Sequence, residues 1–154
     1  MNYWLFKSEP NVYPIDTLAA EKGKRTFWDG VRNYQARNIM RDEMKKGDLA
    51  FFYHSRVKPM SVVGVVEIVK EGYPDHTQFD STDSHFDPKA TEENPRWFMV
   101  DMKLKKTFKR PITLTELKED EKLDGLMLTA KGSRLSVQPV SKKHFDHICK
   151  LAES

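Results

Sequence analysis

The hydrophobic pattern of this chain switches repeatedly between a period of about two and a period of about 3.6, sketching short strands separated by short helices. Asn2 to Lys7 is aromatic and β-favouring and predicts a strand ended by the Ser8-Glu9-Pro10 turn signal. Pro14 to Glu21 predicts a brief helix before Gly23. Ala36, Met40 and Met44 recur at steps of four with Ile39 alongside, while Asn33, Arg37 and Arg41 form a polar stripe. The spacing predicts an amphipathic helix from Asn33 to Lys46, ended by Lys46-Gly47-Asp48. Leu49 to His54 predicts an apolar strand that turns polar at Tyr53-His54-Ser55. Ser61 to Val69 is too apolar for an exposed edge and predicts a central strand, with Gly64 marking a bulge or tight bend.

Trp97 to Phe108 alternates, with Phe98, Val100, Met102 and Leu104 on the apolar side. Thr113-Leu114-Thr115-Glu116 fits a capping box opening a short helix. A Gly132-Ser133 turn leads into a strand from Arg134 to Val140, with Leu135 and Val137 on one face and Arg134, Ser136 and Gln138 on the other. Ser141 is placed to cap a last helix whose Phe145, Ile148 and Cys149 point inward. The polar stretch from Pro74 to Arg96 is long enough to suggest a functional loop. Short, spaced strands without a strand-helix rhythm argue for an α+β domain: a small curved β-barrel flanked by short helices, with a cleft at its mouth. No repeat or linker divides residues 1–154, so one domain is expected.

Composition narrows the chemistry. A formal charge of +3, with 32% charged residues, is mildly basic and confines any polyanion contact to a local patch. A single cysteine, Cys149, excludes an intramolecular disulfide and paired-thiolate zinc, and its place on an apolar stripe argues against a nucleophile. No basic segment followed by an apolar run opens the chain, and no stretch reaches membrane-spanning length, so no membrane partner is expected. His76, Asp80, Asp83, His85 and Asp87 cluster, but their spacing matches neither a calcium loop nor a helical histidine pair. No metal or cofactor is expected.

The segment Trp28-Asp29-Gly30-Val31-Arg32-Asn33-Tyr34-Gln35-Ala36-Arg37-Asn38 is denser in informative chemistry than any other. Rings stack on flat ligands, amides read polar edges and guanidinium groups hold phosphates. Ser8 and Glu9, Tyr53-His54-Ser55, and Arg134, Ser136 and Gln138 supply matching groups at strand ends. Each alone reads as a turn, a cap or a surface strand; converging at a barrel mouth, they would receive a nucleobase turned out of its stack. An alternative reading is an enzyme acting on RNA or a modified nucleotide, with Glu9 and His54 as acid and base.

Trp4-Leu5-Phe6-Lys7-Ser8-Glu9-Pro10, the Trp28 to Asn38 segment, Phe51-Phe52-Tyr53-His54-Ser55, Pro95-Arg96-Trp97, and Gly132-Ser133-Arg134-Leu135-Ser136-Val137-Gln138-Pro139-Val140 together resemble the EVE domain family across nearly the whole chain. The resemblance implies a PUA-like curved barrel and a non-catalytic module that binds nucleic acid, especially modified cytosine in DNA, by flipping the base into a pocket. RNA is left open as the partner. Carried over by motif, the pocket comprises Lys7, Ser8, Trp28, Asn33, Tyr53, His54, Ser55, Arg134, Ser136 and Gln138. Trp28 and Tyr53 are expected as stacking walls, Ser8, Asn33 and Gln138 as edge readers, and Arg32, Arg37 and Arg134 as phosphate contacts. The chain begins almost at its first predicted strand, without the long basic extension of eukaryotic nuclear members. A monomeric, cytoplasmic, bacterial-type protein is expected.

Overall fold

The computed structural model describes residues 1–132 and 134–153; Ser133, half of the expected Gly132-Ser133 turn, lies outside the described residues, as does Ser154. Six strands, β1 (Tyr3–Ser8), β2 (Arg25–Trp28), β3 (Leu49–His54), β4 (Ser61–Pro74), β5 (Phe98–Thr113) and β6 (Val137–Val140), form one sheet in the order β2-β5-β4-β3-β1-β6. The β1 and β3 strands run parallel, and the other pairings are antiparallel. The fold class is therefore α+β with a mixed sheet. As expected, Ser61 opens a central strand, because Val62, Val63, Val65, Val66 and Ile68 are buried on both faces.

The closed barrel expected from sequence is not formed. The order ends in β2 and β6, and no pairing joins them among the described residues. Pro139 in β6 has no N–H to offer another strand, which suits it to an edge. The sheet is nevertheless strongly rolled. Register shifts at Phe52/Tyr53, Val62/Gly64, Val65/Val66, Ile68/Lys70 and Lys70/Tyr73 add local twist and bend. They bring Trp28 of edge strand β2 within 5.9 Å of Phe6 in β1, ring centre to ring centre, although three strands separate them in the sheet. Gly64 permits one of these bends: a Cβ there would stand 2.4 Å from the Lys106 carbonyl oxygen and 2.5 Å from Ile15 Cδ1.

Both faces of the sheet are covered, and alternation along β3 shows how. Ala50 and Phe52 join Trp4, Phe6, Ile68 and Met102 in one core, under Ile15 and Leu18 of α1 (Ile15–Ala20) and Ala36 of α2 (Tyr34–Asn38). Phe51 and Tyr53 join Leu5 and Ile112 in a second core, under Leu117 of α3 (Leu114–Glu119) and Phe145, Ile148 and Ala152 of α4 (Lys142–Glu153). The expected caps form: Asn33 Oδ1 accepts from Ala36 N at 3.0 Å, Thr113 Oγ1 from Glu116 N at 3.2 Å and Ser141 Oγ from His144 N at 3.2 Å. The helix predicted to Lys46 instead stops at Asn38 and passes into a π-type turn over Ile39–Glu43. The backbone of β4 presses against that turn, where a Cβ on Gly72 would lie 2.6 Å from Met40 O. Ala36, Met40 and Met44 still face the core, as the spacing predicts.

The long polar loop after β4 is bolted down from inside. Asp75, fully buried, accepts from Gly30 N at 2.8 Å, Arg32 Nη1 at 3.0 Å and Thr77 N at 2.8 Å. Gln78, also fully buried, donates through Nε2 to the carbonyls of Asp75 (2.7 Å) and Trp97 (2.8 Å) and accepts from Arg96 N and Trp97 N. Burial alone would push the Asp75 carboxyl up, but hydrogen bonds from Thr77, Gly30 and Arg32 outweigh it and hold the group below the ordinary value. Removing one partner of a buried pair leaves the other charge uncompensated. Asp75→Ala is expected to lower unfolding free energy by about 3 to 5 kcal/mol in urea titrations, and Asp75→Asn by less, since its one amide oxygen still accepts from one of the two donor sets, Gly30 and Arg32 on Oδ2 or Thr77 on Oδ1. Because the native carboxyl is the stronger acid, its contribution is present above the unfolded value of about 4 and is lost as pH falls below it. Wild type should lose stability in that acid range more steeply than Asp75→Asn.

Candidate functional site

A cavity of about 1000 Å³ opens along the seam where β2 approaches β1 without pairing to it. Its floor forms because parallel β1 and β3 end at the same side of the sheet, and the chain entering antiparallel β6 starts there. Lys7 N donates to Ser136 O and Ser55 N to Ser8 O, each at 2.9 Å, so four lining residues are tied together by main-chain bonds. On the opposite side Trp28 is fixed edge-on against Phe6, Tyr13 and Phe52, at 5.9, 5.7 and 5.6 Å. The chain then turns at Gly30, whose φ of +79° suits glycine, and the His85 ring lies 2.9 Å from where a Cβ would sit. Val12 and Phe27, 72% and 45% exposed, leave apolar surface at the rim.

Of the residues predicted from sequence, Lys7, Ser8, Trp28, Arg32, Ser55, Arg134 and Ser136 line this cavity. Their duties are not all as expected. Ser8 Oγ donates to the Tyr13 carbonyl and so holds the turn after β1. Arg32 spends every nitrogen internally: Nη1 on Asp75, Nη2 on Thr77 and the His85 carbonyl, and Nε on that carbonyl again. It is a strut of the wall and not an available phosphate contact. Arg134 is exposed at the mouth.

Tyr53 is elsewhere. It alternates to the other face of β3 and is 2% exposed within the second core, where burial raises its phenol to about 12. Gln138 is likewise buried, donating to Leu135 O at 2.8 Å, because strand structure begins only at Val137 and its side chain does not share a face with Ser136 as predicted. Asn33 caps α2 outside the cavity. Arg37 bonds the Arg96 carbonyl at 2.7 Å and lies 4.9 Å over the Tyr34 ring, on an adjoining ridge with Arg41 and Arg96. His54 Nε2 accepts from Ile15 N at 3.0 Å, and burial lowers its basicity, so the ring is held neutral as part of the α1 start. Glu9 pairs with Arg56 at 3.0 Å, so the proposed acid and base are committed to different partners. Asp80, Asp83 and Asp87 accept from the backbone of Thr82, His85 and Lys89, and so hold the loop's own turns.

Sequence reasoning missed Tyr13, Thr26, Phe27, Asp29, Arg56 and His85 as lining residues. Asp29 carried a signal, standing inside the densest segment between Trp28 and Gly30; the others reach the cavity only through the roll of the sheet. Burial lowers the Lys7 amine from its usual range, and burial together with the nearby Asp75 charge raises the Asp29 carboxyl. The site thus offers a rigid indole, a half-buried acid and a half-buried amine inside, with freer cations at the mouth. Such a set suits a flat polar ring attached to an anionic chain.

Comparison with known proteins agrees in both sequence and shape. The EVE domain profile matches residues 2–151. Chicken (Gallus gallus) thymocyte nuclear protein 1 is 46% identical over 167 residues, covering 98% of this chain and 69% of the relative. The crystal structure of human THYN1 protein in complex with 5-methylcytosine-containing DNA superposes with a TM-score of 0.93 at 43% identity, covering 100% of this chain and 99% of that one. A Pseudomonas syringae protein of known structure, PSPTO5229, gives 0.91 at 43% identity over 97% and 99%. With its profile, its relatives and its backbone in agreement, this chain belongs to the EVE domain family.

Proposed function

We infer that this protein is a non-catalytic nucleic-acid-binding module that receives a modified cytosine, turned out of a DNA helix, in the seam cavity. The observation that carries this reading is the cavity itself. It is open to solvent, falls at the upper end of the roughly 300 to 1,000 Å³ typical of ligand sites, and is walled by an indole already locked by three neighbouring rings. Human THYN1, which shares 43% identity over the full length of this chain, has been crystallised with DNA containing 5-methylcytosine. A preorganised ring loses little entropy on stacking a base. Trp28 is thus the stacking wall, while the Lys7, Ser55 and Ser136 floor supplies polar contacts.

Phosphates fall to arginines that are not already committed. The Arg56 to Glu9 pair is exposed, with 82% of the arginine side chain open to water, so it is weakly held and can exchange for a phosphate. Arg134 stands at the mouth. Arg37 on the adjoining ridge is held by the Arg96 carbonyl and by Asn38 Oδ1 and is not one of them.

Fluorescence anisotropy with short duplexes carrying one cytosine or one 5-methylcytosine tests the reading. Wild type should bind the methylated duplex more tightly, and Trp28→Ala should lose about 1 to 3 kcal/mol of that binding, roughly 5- to 150-fold in Kd. Equal binding by wild type and Trp28→Ala would remove the indole from the site. Titrations across salt concentrations test the arginines separately. Arg56→Ala and Arg134→Ala should each weaken binding to both duplexes alike and reduce the slope of log affinity against log salt by about one, whereas the committed Arg32 should show its loss in thermal stability.

A further inference from the structure

Six large hydrophobic side chains are exposed among the described residues; Val12 and Phe27 line the seam cavity, and Val57 follows the lining residue Arg56. Apolar residues scattered singly over a surface are ordinary, but three gathered around one opening are not. Val12 is the most prominent of them, 72% exposed on the turn 10–12. Turns are ordinarily filled by Gly, Pro, Asn, Asp or Ser, whereas a β-branched aliphatic residue in one gains little from the fold and holds its methyl groups in water.

The turn is held firmly for an exposed segment. Val12 N and Tyr13 N both donate to the Glu9 carbonyl, at 2.9 and 2.8 Å, and Ser8 Oγ donates to the Tyr13 carbonyl. Pro10 and Pro14 fix φ on either side. Tyr13 lies edge-on to Trp28, so the turn is braced against the stacking wall itself. Ser55 N donates to Ser8 O and Arg56 pairs with Glu9, which joins the turn to the bend that carries Val57. Phe27 differs: it belongs to β2, and its ring already rests edge-on against His76 at 5.1 Å.

Taking the cavity as a base site, on which this inference rests, we propose that Val12 is the wedge of that site, entering the duplex at the place the cytosine leaves. A base turned out of a helix exposes the ring faces of its former neighbours and strands its partner guanine. An apolar side chain on a rigid support covers those faces and offsets part of the cost of unstacking. The methyl groups of Val12 are already in water in the free protein, so burying them between bases is favourable. A valine is also stiff at χ1 and loses little rotamer freedom on entering. Trp28 and Val12 thus serve two sides of one event: the indole receives the base and the valine occupies the space it vacates. A single strand has no paired stack to open and no gap to fill, so Val12 contributes to duplex binding alone.

The test compares anisotropy of the full chain on a duplex carrying one 5-methylcytosine opposite guanine with anisotropy on the same methylated strand alone. Val12→Ser, which suits a turn but removes the apolar surface, should weaken duplex binding by about five- to tenfold in Kd and change single-strand binding by less than about twofold. Val12→Met, longer and still apolar, should keep duplex affinity close to that of wild type. Val12 packs in neither core, so both variants should fold and melt as wild type does. Trp28→Ala, in contrast, should weaken binding to both DNAs. The wedge is overturned, and the base-site reading left standing, if Val12→Ser binds the duplex as wild type does, if it weakens both DNAs alike, or if Val12→Met loses as much duplex affinity as Val12→Ser. Wild type that binds neither DNA, or Trp28→Ala that binds both as tightly as wild type, overturns the base site and the wedge with it.

Discussion

One buried carboxylate organises the working half of this protein. Asp75 has no contact with solvent, yet it remains ionised because Thr77, Gly30 and Arg32 surround it with donors. These donors come from two segments more than forty residues apart, the chain leaving β2 and the loop leaving β4. Neither segment has a large apolar face of its own to bury, so the polar knot does for them what packing does for the helices. Arg32 carries the effect outward by gripping the His85 carbonyl, which keeps the His85 ring over Gly30. A buried ion pair is a weak argument for stability as such. Here its consequence is geometric, since it decides where Trp28, Asp29 and Gly30 stand.

This arrangement also divides labour between groups of the same chemical kind. Arg32 and Arg56 both line the cavity, but one is saturated with internal bonds and the other is bound only to an exposed partner. Asp75 and Asp29 stand close enough to influence one another, and the fully bonded one keeps its charge while raising the other. Residue type alone could not have sorted these roles.

Local features were legible in the sequence because local physics decides them. The boundaries of β3, the inward stripe of Ala36, Met40 and Met44, the caps at Asn33, Thr113 and Ser141, and the irregularity at Gly64 all follow from neighbouring residues. Tyr53 was misplaced because both faces of the sheet are covered: along Phe51, Phe52 and Tyr53 every residue is buried, so alternation no longer says which face meets the cavity. Gln138 was misplaced for a related reason, a polar side chain satisfied inside the fold and not at a surface. The capture of Arg32 by Asp75 joins residues 43 apart and has no local signature. Convergence of Lys7, Ser55 and Ser136 with Trp28 depends on how far the sheet rolls, which several register shifts determine jointly.

That roll leaves the circumference of the sheet incomplete. Between β2 and β1 there are ring contacts but no ladder, so the aperture there is set by the curvature of β4 and β5 and not by any bond across it. In the proposed base site, an occupant stacked on Trp28 and resting on Lys7 and Ser136 would close the circle like a keystone, joining edge strand β2 to β1 across the three strands between them in the sheet. The width of the site is therefore a property of the whole sheet: a change of bend at Gly64, on the far side of the molecule's hydrogen-bonded arc, is transmitted to the opening without touching a single residue that lines it.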